Sequence, residues 1–261
     1  MYDFEFVKPA SIADAVKALK EDGAQALSGG QTLIATMKQR LAAPGTLVSL
    51  TGIAEMKGVS AAGGQLTVGG ATPHAVVAAE AKAAYPGLAA LAGGIGDPMV
   101  RNRGTIGGSI ANNDPAACYP SAVLASGATV VTDRRKIAAD DYFQGLFTTA
   151  LEEGEIVTQV IFPIPEKAAY VKFNQPASRF ALTGVFVAKF ASGVRVAVTG
   201  AGADGVFRWT EAEEALSKDF SPAAVDGLSV DPSGLMGDLH GTPEYRANLI
   251  KVLTKRAVAA A

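Results

Sequence analysis

Apolar residues follow different rhythms along this chain, and the changes of rhythm divide it. In the first fifty residues, short apolar runs at 5–7, 25–27 and 46–50 read as strands separated by helical spacing. Ser11-Ile12-Ala13-Asp14 opens the first helix as a capping box with Asp in the Glu place, and Gly23 stands where a C-cap glycine belongs. Gly29-Gly30 then turns the chain into a helix over residues 33–41. Strands alternating with helices predict a βαβαβ unit.

From residue 52 to about 165 the pattern is less regular. It predicts a strand over 65–68, an Ala-rich helix from Pro73 to about Tyr85, and a further helix from Pro86. A glycine-rich stretch over 93–109 reads as loop, followed by a helix over 119–126 and strands over 128–132 and 155–162. Pro163 and Pro165 mark a boundary. Beyond it, apolar runs over 180–190 and 194–199 flank Ser192-Gly193, which signals a hairpin. Two polar, Gly/Pro-rich helices and a terminal helix led by Thr242-Pro243 complete a small α+β unit. The expected division is 1–165, with parts 1–55 and 56–165, followed by 166–261.

Composition narrows the function. The chain has 261 residues, 49% of them hydrophobic and 18% charged, which excludes a disordered segment. A net charge of −2 supplies no basic field for nucleic acid, and 7% aromatics supply no stacking platform. The start, Met1 to Phe6, carries acids where a secretory leader needs bases, and no apolar run reaches the length of a membrane span. A cytoplasmic protein is expected. Cys118 is the only cysteine, so the chain cannot build a thiolate cage for zinc or iron–sulfur. His74 and His240 have no partner at metal-ligand spacing, and both read as structural.

Three glycine motifs carry the chemistry. Gly200-Ala201-Gly202-Ala203-Asp204-Gly205 matches the dinucleotide fingerprint literally, but a Rossmann loop must enter a helix directly. Val206 to Trp209 reads as strand instead, so a plain turn is the preferred reading. Ser28-Gly29-Gly30-Gln31-Thr32 lies between a strand and a helix, where inward-pointing amides and a helix N-terminus suit a pyrophosphate. A tight turn capped by Thr32 fits this run equally well. Arg101 to Pro115 holds a second Gly-Gly pair, flanked by Thr105 and Ser109. Two such loops in one unit favour a dinucleotide held along its length.

The run from Ser28 to Arg40 resembles the first FAD loop of the flavin subunits of the xanthine dehydrogenase family. Gly94-Ile95-Gly96-Asp97-Pro98 through Ser109 resembles their second loop, and Asp114 to Pro120 continues the match. Pro176 to Ala181 and the ending from Glu244 to Arg256 are similar to medium subunits of the carbon monoxide dehydrogenase type. The resemblance implies an α+β fold: a two-part FAD-binding domain of the PCMH type, then a C-terminal α+β domain with an antiparallel sheet and helices. It implies non-covalent FAD, because Gln31 replaces a frequent His. It also implies a small subunit with iron–sulfur clusters and a large subunit with the molybdenum cofactor, arranged as a dimer of heterotrimers. Electrons would pass from molybdenum through the clusters to FAD and on to an external acceptor.

By motif position, Ser28, Gly29, Gly30, Gln31 and Thr32 would hold the pyrophosphate. Thr105, Ile106, Gly107, Gly108 and Ser109 would line the other side of the cofactor. Ile95, Val157 and Phe180 fall at positions near the flavin, where ordinary core packing is an equal reading. Cys118 stands where the family usually has a cofactor-contacting Asp, a contact that Asp114 is placed to share. Two other classes fit parts of the sequence. A self-sufficient FAD oxidoreductase would need a substrate acid/base pocket, and none is evident. A NAD-binding module would have to use residues 200–205.

Overall fold

The parallel unit comes first. The computed structural model describes residues 1–261. In it β1 (Glu5–Val7), α1 (Ile12–Ala18), β2 (Ala24–Leu27), α2 (Leu33–Lys38) and β3 (Thr46–Ser49) form a three-stranded parallel sheet of order β1-β3-β2. β3 is central and buried at every position. Ser11 caps α1 by accepting from the Asp14 amide, and its hydroxyl donates to the Asp14 carboxylate. The aspartate is too short to complete the box by reaching the Ser11 amide. α2 ends at Lys38, three residues earlier than the spacing predicts, where Arg40 enters the left-handed region at φ 60°.

The second unit contains β4 (Val59–Ala62), β5 (Gln65–Gly69), α3 (His74–Glu80), α4 (Pro86–Gly93), α5 (Pro98–Arg103), α6 (Ile106–Asn112) and α7 (Tyr119–Ala125). It continues through β6 (Thr129–Thr132), β7 (Lys136–Ala138), α8 (Ala139–Tyr142), β8 (Phe143–Gly145), β9 (Thr148–Thr149) and β10 (Val157–Pro163). Its antiparallel sheet runs β4-β5-β10-β6-β7. Two expectations change here. The helix from Pro73 stops at Glu80, and Tyr85, restricted by Pro86, takes φ −142°. The glycine-rich stretch holds two short helices, each with a side-chain cap: Asp97 accepts from the Val100 amide and Thr105 from the Gly108 amide.

The third unit is β11 (Lys167–Asn174), β12 (Ala181–Phe190), β13 (Gly193–Thr199), β14 (Phe207–Arg208), α9 (Thr210–Lys218) and α10 (Pro243–Ala260). The antiparallel order is β11-β12-β13-β14, and the hairpin turns at residues 191–192. β12 is a continuous apolar run because both of its faces are covered. Phe186 and Ala188 join the core of the second unit, while Val185 and Val187 pack with Trp209 and with Ile250 and Leu253 of α10. Residues 200–205 form a turn between β13 and β14, and no helix begins until Thr210. The second polar helix resolves into two short 3-10 turns, at Pro222–Val225 and Pro232–Gly234. β11, half-exposed and weakly patterned, was not predicted.

Candidate functional site

The two glycine loops pack against each other. Gly29 lies so close to the second loop that a Cβ there would collide with the Arg103 carbonyl and the Gly104 α-carbon. The Ser28 and Thr105 hydroxyls share a hydrogen bond of 2.7 Å, and Thr105 Oγ1 also accepts from the Gly108 amide at 3.2 Å. Gly30 sits at φ +70°, which glycine adopts without strain. Gln31 Nε2 donates to the Gly29 carbonyl at 3.2 Å and so braces its own loop. Thr32 precedes α2 but makes no side-chain cap bond, so the simple capped-turn reading does not hold.

Between and beyond these loops opens a cavity of about 720 Å³. It is lined by Ser28 through Thr32, by Thr105, Gly107, Gly108 and Ser109, and by Ile95, Asp114, Cys118, Val157 and Phe180. All three units contribute. Ile106 is the exception among the expected site residues. Its side chain is fully buried in the core of the second unit and does not reach the cavity, because α6 turns that face toward β5 and β10.

Cys118 is 5% exposed and lies on the cavity wall. Asp114 lines the cavity as well, but its Oδ1 is engaged by the Ala116 amide at 2.8 Å. The loop between them is clamped by the third unit: Thr199 Oγ1 donates to the carbonyls of Pro115 and Ala117, and the Gly200 amide to Pro115. Phe180 is 52% exposed at the rim, a position at odds with core packing.

Several lining residues carried no signal in sequence. Lys172, in β11, donates from Nζ to the Gly94 carbonyl at 2.9 Å and to the Arg179 carbonyl at 2.9 Å, with Cys118 Sγ at 3.6 Å. One ammonium thus ties the loop carrying Ile95 to the turn carrying Phe180. Arg101 Nη1 supports the same loop through the carbonyls of Ile95 and Gly96. His74 is buried against the cavity wall, and burial lowers it to about 4, so the ring is neutral.

Glu155 holds the segment that presents Val157. Its carboxylate accepts from Arg135 Nε and Nη2, both at 3.0 Å, from Thr132 Oγ1 at 2.6 Å and from the Glu152 amide at 2.8 Å. The Arg135 fork is the largest influence holding this carboxyl down at about 2, below the usual 4.5. Its stabilisation is therefore complete above about pH 4.5 and is lost as pH falls through about 2. Glu155→Gln is expected to lower Tm at pH 7, and the gap from the unaltered chain should close between pH 4.5 and 2. Thermal melts across that range check it; parallel curves at every pH would contradict it.

The cavity fits an extended dinucleotide. Close backbone approach at Gly29, and at Gly107 where a Cβ would lie 2.6 Å from the Gly70 carbonyl, leaves main chain as the wall. The lining adds hydroxyls, apolar Ile95 and Val157, and the His74 side chain.

Comparison with known proteins agrees. Residues 2–165 match the family model described as the FAD binding domain in molybdopterin dehydrogenase. The chain is 33% identical to the carbon monoxide dehydrogenase medium chain of Afipia carboxidovorans, over 98% of this chain and 95% of that one. It is also 33% identical to the nicotine 6-hydroxylase medium subunit of Paenarthrobacter nicotinovorans, over 97% and 95%. Among solved structures, carbon monoxide dehydrogenase from Hydrogenophaga pseudoflava superposes with a TM-score of 0.88 at 31% identity, covering 100% of this chain and 97% of that one. Two glycine loops packed together on one cavity, a family model over the first two units and near full-length likeness to medium subunits lead to one conclusion: the chain belongs to the family of FAD-binding domains of molybdopterin dehydrogenases.

Proposed function

We propose that this chain is the flavin subunit of a molybdenum-containing dehydrogenase, relaying electrons from a partner's iron–sulfur clusters to an external acceptor. The observation that carries the reading is the pair of glycine loops sharing one cavity wall, joined through Ser28 and Thr105. Residues 1–165 serve as the cofactor-binding unit and 166–261 as the unit that closes it. FAD, when bound, supplies the capacity to take up and release electrons. Ser28 through Thr32 and the Thr105–Ser109 loop hold the dinucleotide backbone, Ile95 and Val157 pack against its ring system, and Phe180 covers the rim.

Multi-subunit assembly follows from likeness to medium chains and subunits. With Cys118 as the only thiol, a thiolate-held cluster has to reside on another chain. The proposed partners are a small iron–sulfur subunit and a large molybdenum subunit, paired as a dimer of heterotrimers in the cytoplasm. No helix is long and apolar enough to cross a membrane. Purifying the tagged chain from its source and analysing the complex for metals tests this. Expected are two companion chains, with iron, acid-labile sulfide and molybdenum present alongside flavin. Turnover of a small organic substrate by this chain alone would favour a self-sufficient oxidoreductase instead.

A further inference from the structure

The strip from Gly70 to His74 backs the second glycine loop. The Gly107 amide donates to the Gly70 carbonyl at 2.9 Å, the Ile106 amide to Thr72 at 3.3 Å, and the His74 amide to Gly104 at 2.9 Å. Pro73 and Thr105 form an antiparallel bridge. The main chain of His74 is thereby fixed at the cavity wall. Its ring, 4% exposed, packs near Tyr119, with ring centroids 5.2 Å apart. It also fills the space beside Gly104, where a Cβ would lie 2.5 Å from Nε2.

The two ring nitrogens are not equivalent. Nδ1 is sealed in the protein with no hydrogen-bond partner, whereas Nε2 is not sealed and lies beside Gly104, itself part of the cavity lining. A neutral imidazole carries one hydrogen. Placing it on Nδ1 would bury an N–H donor without an acceptor, which is rarer and costlier than burying an unpaired lone pair. The hydrogen is therefore assigned to Nε2, and the cavity receives a donor with nothing yet to bond.

We propose that His74 is a cofactor-binding residue outside both glycine motifs, donating through Nε2–H to an acceptor oxygen of FAD held between the two loops. This rests on the flavin reading above. It deepens that reading by assigning a direct contact to a histidine that looks structural in sequence.

The test compares three full-length proteins by FAD titration and by melting without FAD: the unaltered chain, His74→Leu and His74→Gln. Leucine removes the donor together with the unpaired buried nitrogen, so the melting temperature should hold or rise while FAD binds about tenfold more weakly. Glutamine keeps a donor amide at similar reach and should bind within about twofold of the unaltered chain. That combination is one a packing role would not give. His74→Leu binding FAD as the unaltered chain does would overturn the proposal. So would weakened binding accompanied by a lower melting temperature and no recovery with glutamine. Failure of the unaltered chain to bind FAD, alone and with its companion chains, would instead overturn the flavin reading and this contact with it.

Discussion

Gly29→Ala is expected to weaken FAD binding on the order of 100-fold. The added Cβ meets the main chain of Arg103 and Gly104, which cannot rotate aside as a side-chain tip would. The first loop must move away from the second, and the Ser28–Thr105 hydrogen bond goes with it. Overpacking of this kind costs about 1–3 kcal/mol even where side chains can adjust, and opposition from backbone places it at the upper end. That corresponds to a loss on the order of 100-fold in affinity. Gly45→Ala is the control, since a Cβ there meets nothing within 4 Å. Flavin fluorescence titrations of both variants, with melting curves to confirm folding, give the answer. Equal FAD affinity in the two would show that the close approach of the loops does not matter for the cofactor.

Lys172→Met should have the next largest effect, for a different reason. The ammonium donates to two carbonyls on separate segments, Gly94 and Arg179, and lies beside Cys118. Hydrogen bonds involving a charged group contribute roughly 1.5–3 kcal/mol each, less where water can replace them, as at this partly exposed site. Methionine keeps the length of the stem but donates nothing, so the loop bearing Ile95 and the turn bearing Phe180 lose their tie. FAD affinity is expected to fall by about 10- to 100-fold. The melting temperature should drop by several degrees, at about 2–4 °C per kcal/mol for a chain of this size. Unchanged FAD affinity would mean that the two segments hold their positions without Lys172.

Much of this architecture was legible in the sequence because local signals and long-range packing agree. The first unit is an example: Ser11, Gly23 and Gly29-Gly30 punctuate strands that lie where the apolar runs predict them. The cofactor loops were legible for a different reason: each run alone reads equally as a turn, and it was their pairing and their resemblance to the family's two FAD loops that set them apart. What sequence could not show was how the pieces meet. The collision that makes Gly29 indispensable involves residues more than seventy positions away. Lys172 stands on a strand with weak periodicity, and its partners are two carbonyls, which leave no trace in residue type. Ile106 failed for the opposite reason. Its neighbours in the motif line the cavity, but on a short helix one position out of step faces the core. His74 looked structural because the strip pairing it with Gly104 runs between elements thirty residues apart.

The most direct test of the central claim is the experimental structure of this chain, with its companion chains, bound to FAD. The expected result is cofactor density in the cavity between the Ser28–Thr32 and Thr105–Ser109 loops. Its diphosphate should lie against Gly29 and Gly30, with the ring system near Ile95, Val157 and Phe180. Density for FAD elsewhere on the chain, for instance at the Gly200–Gly205 turn, would contradict the account. So would a fully loaded complex in which this cavity holds no flavin.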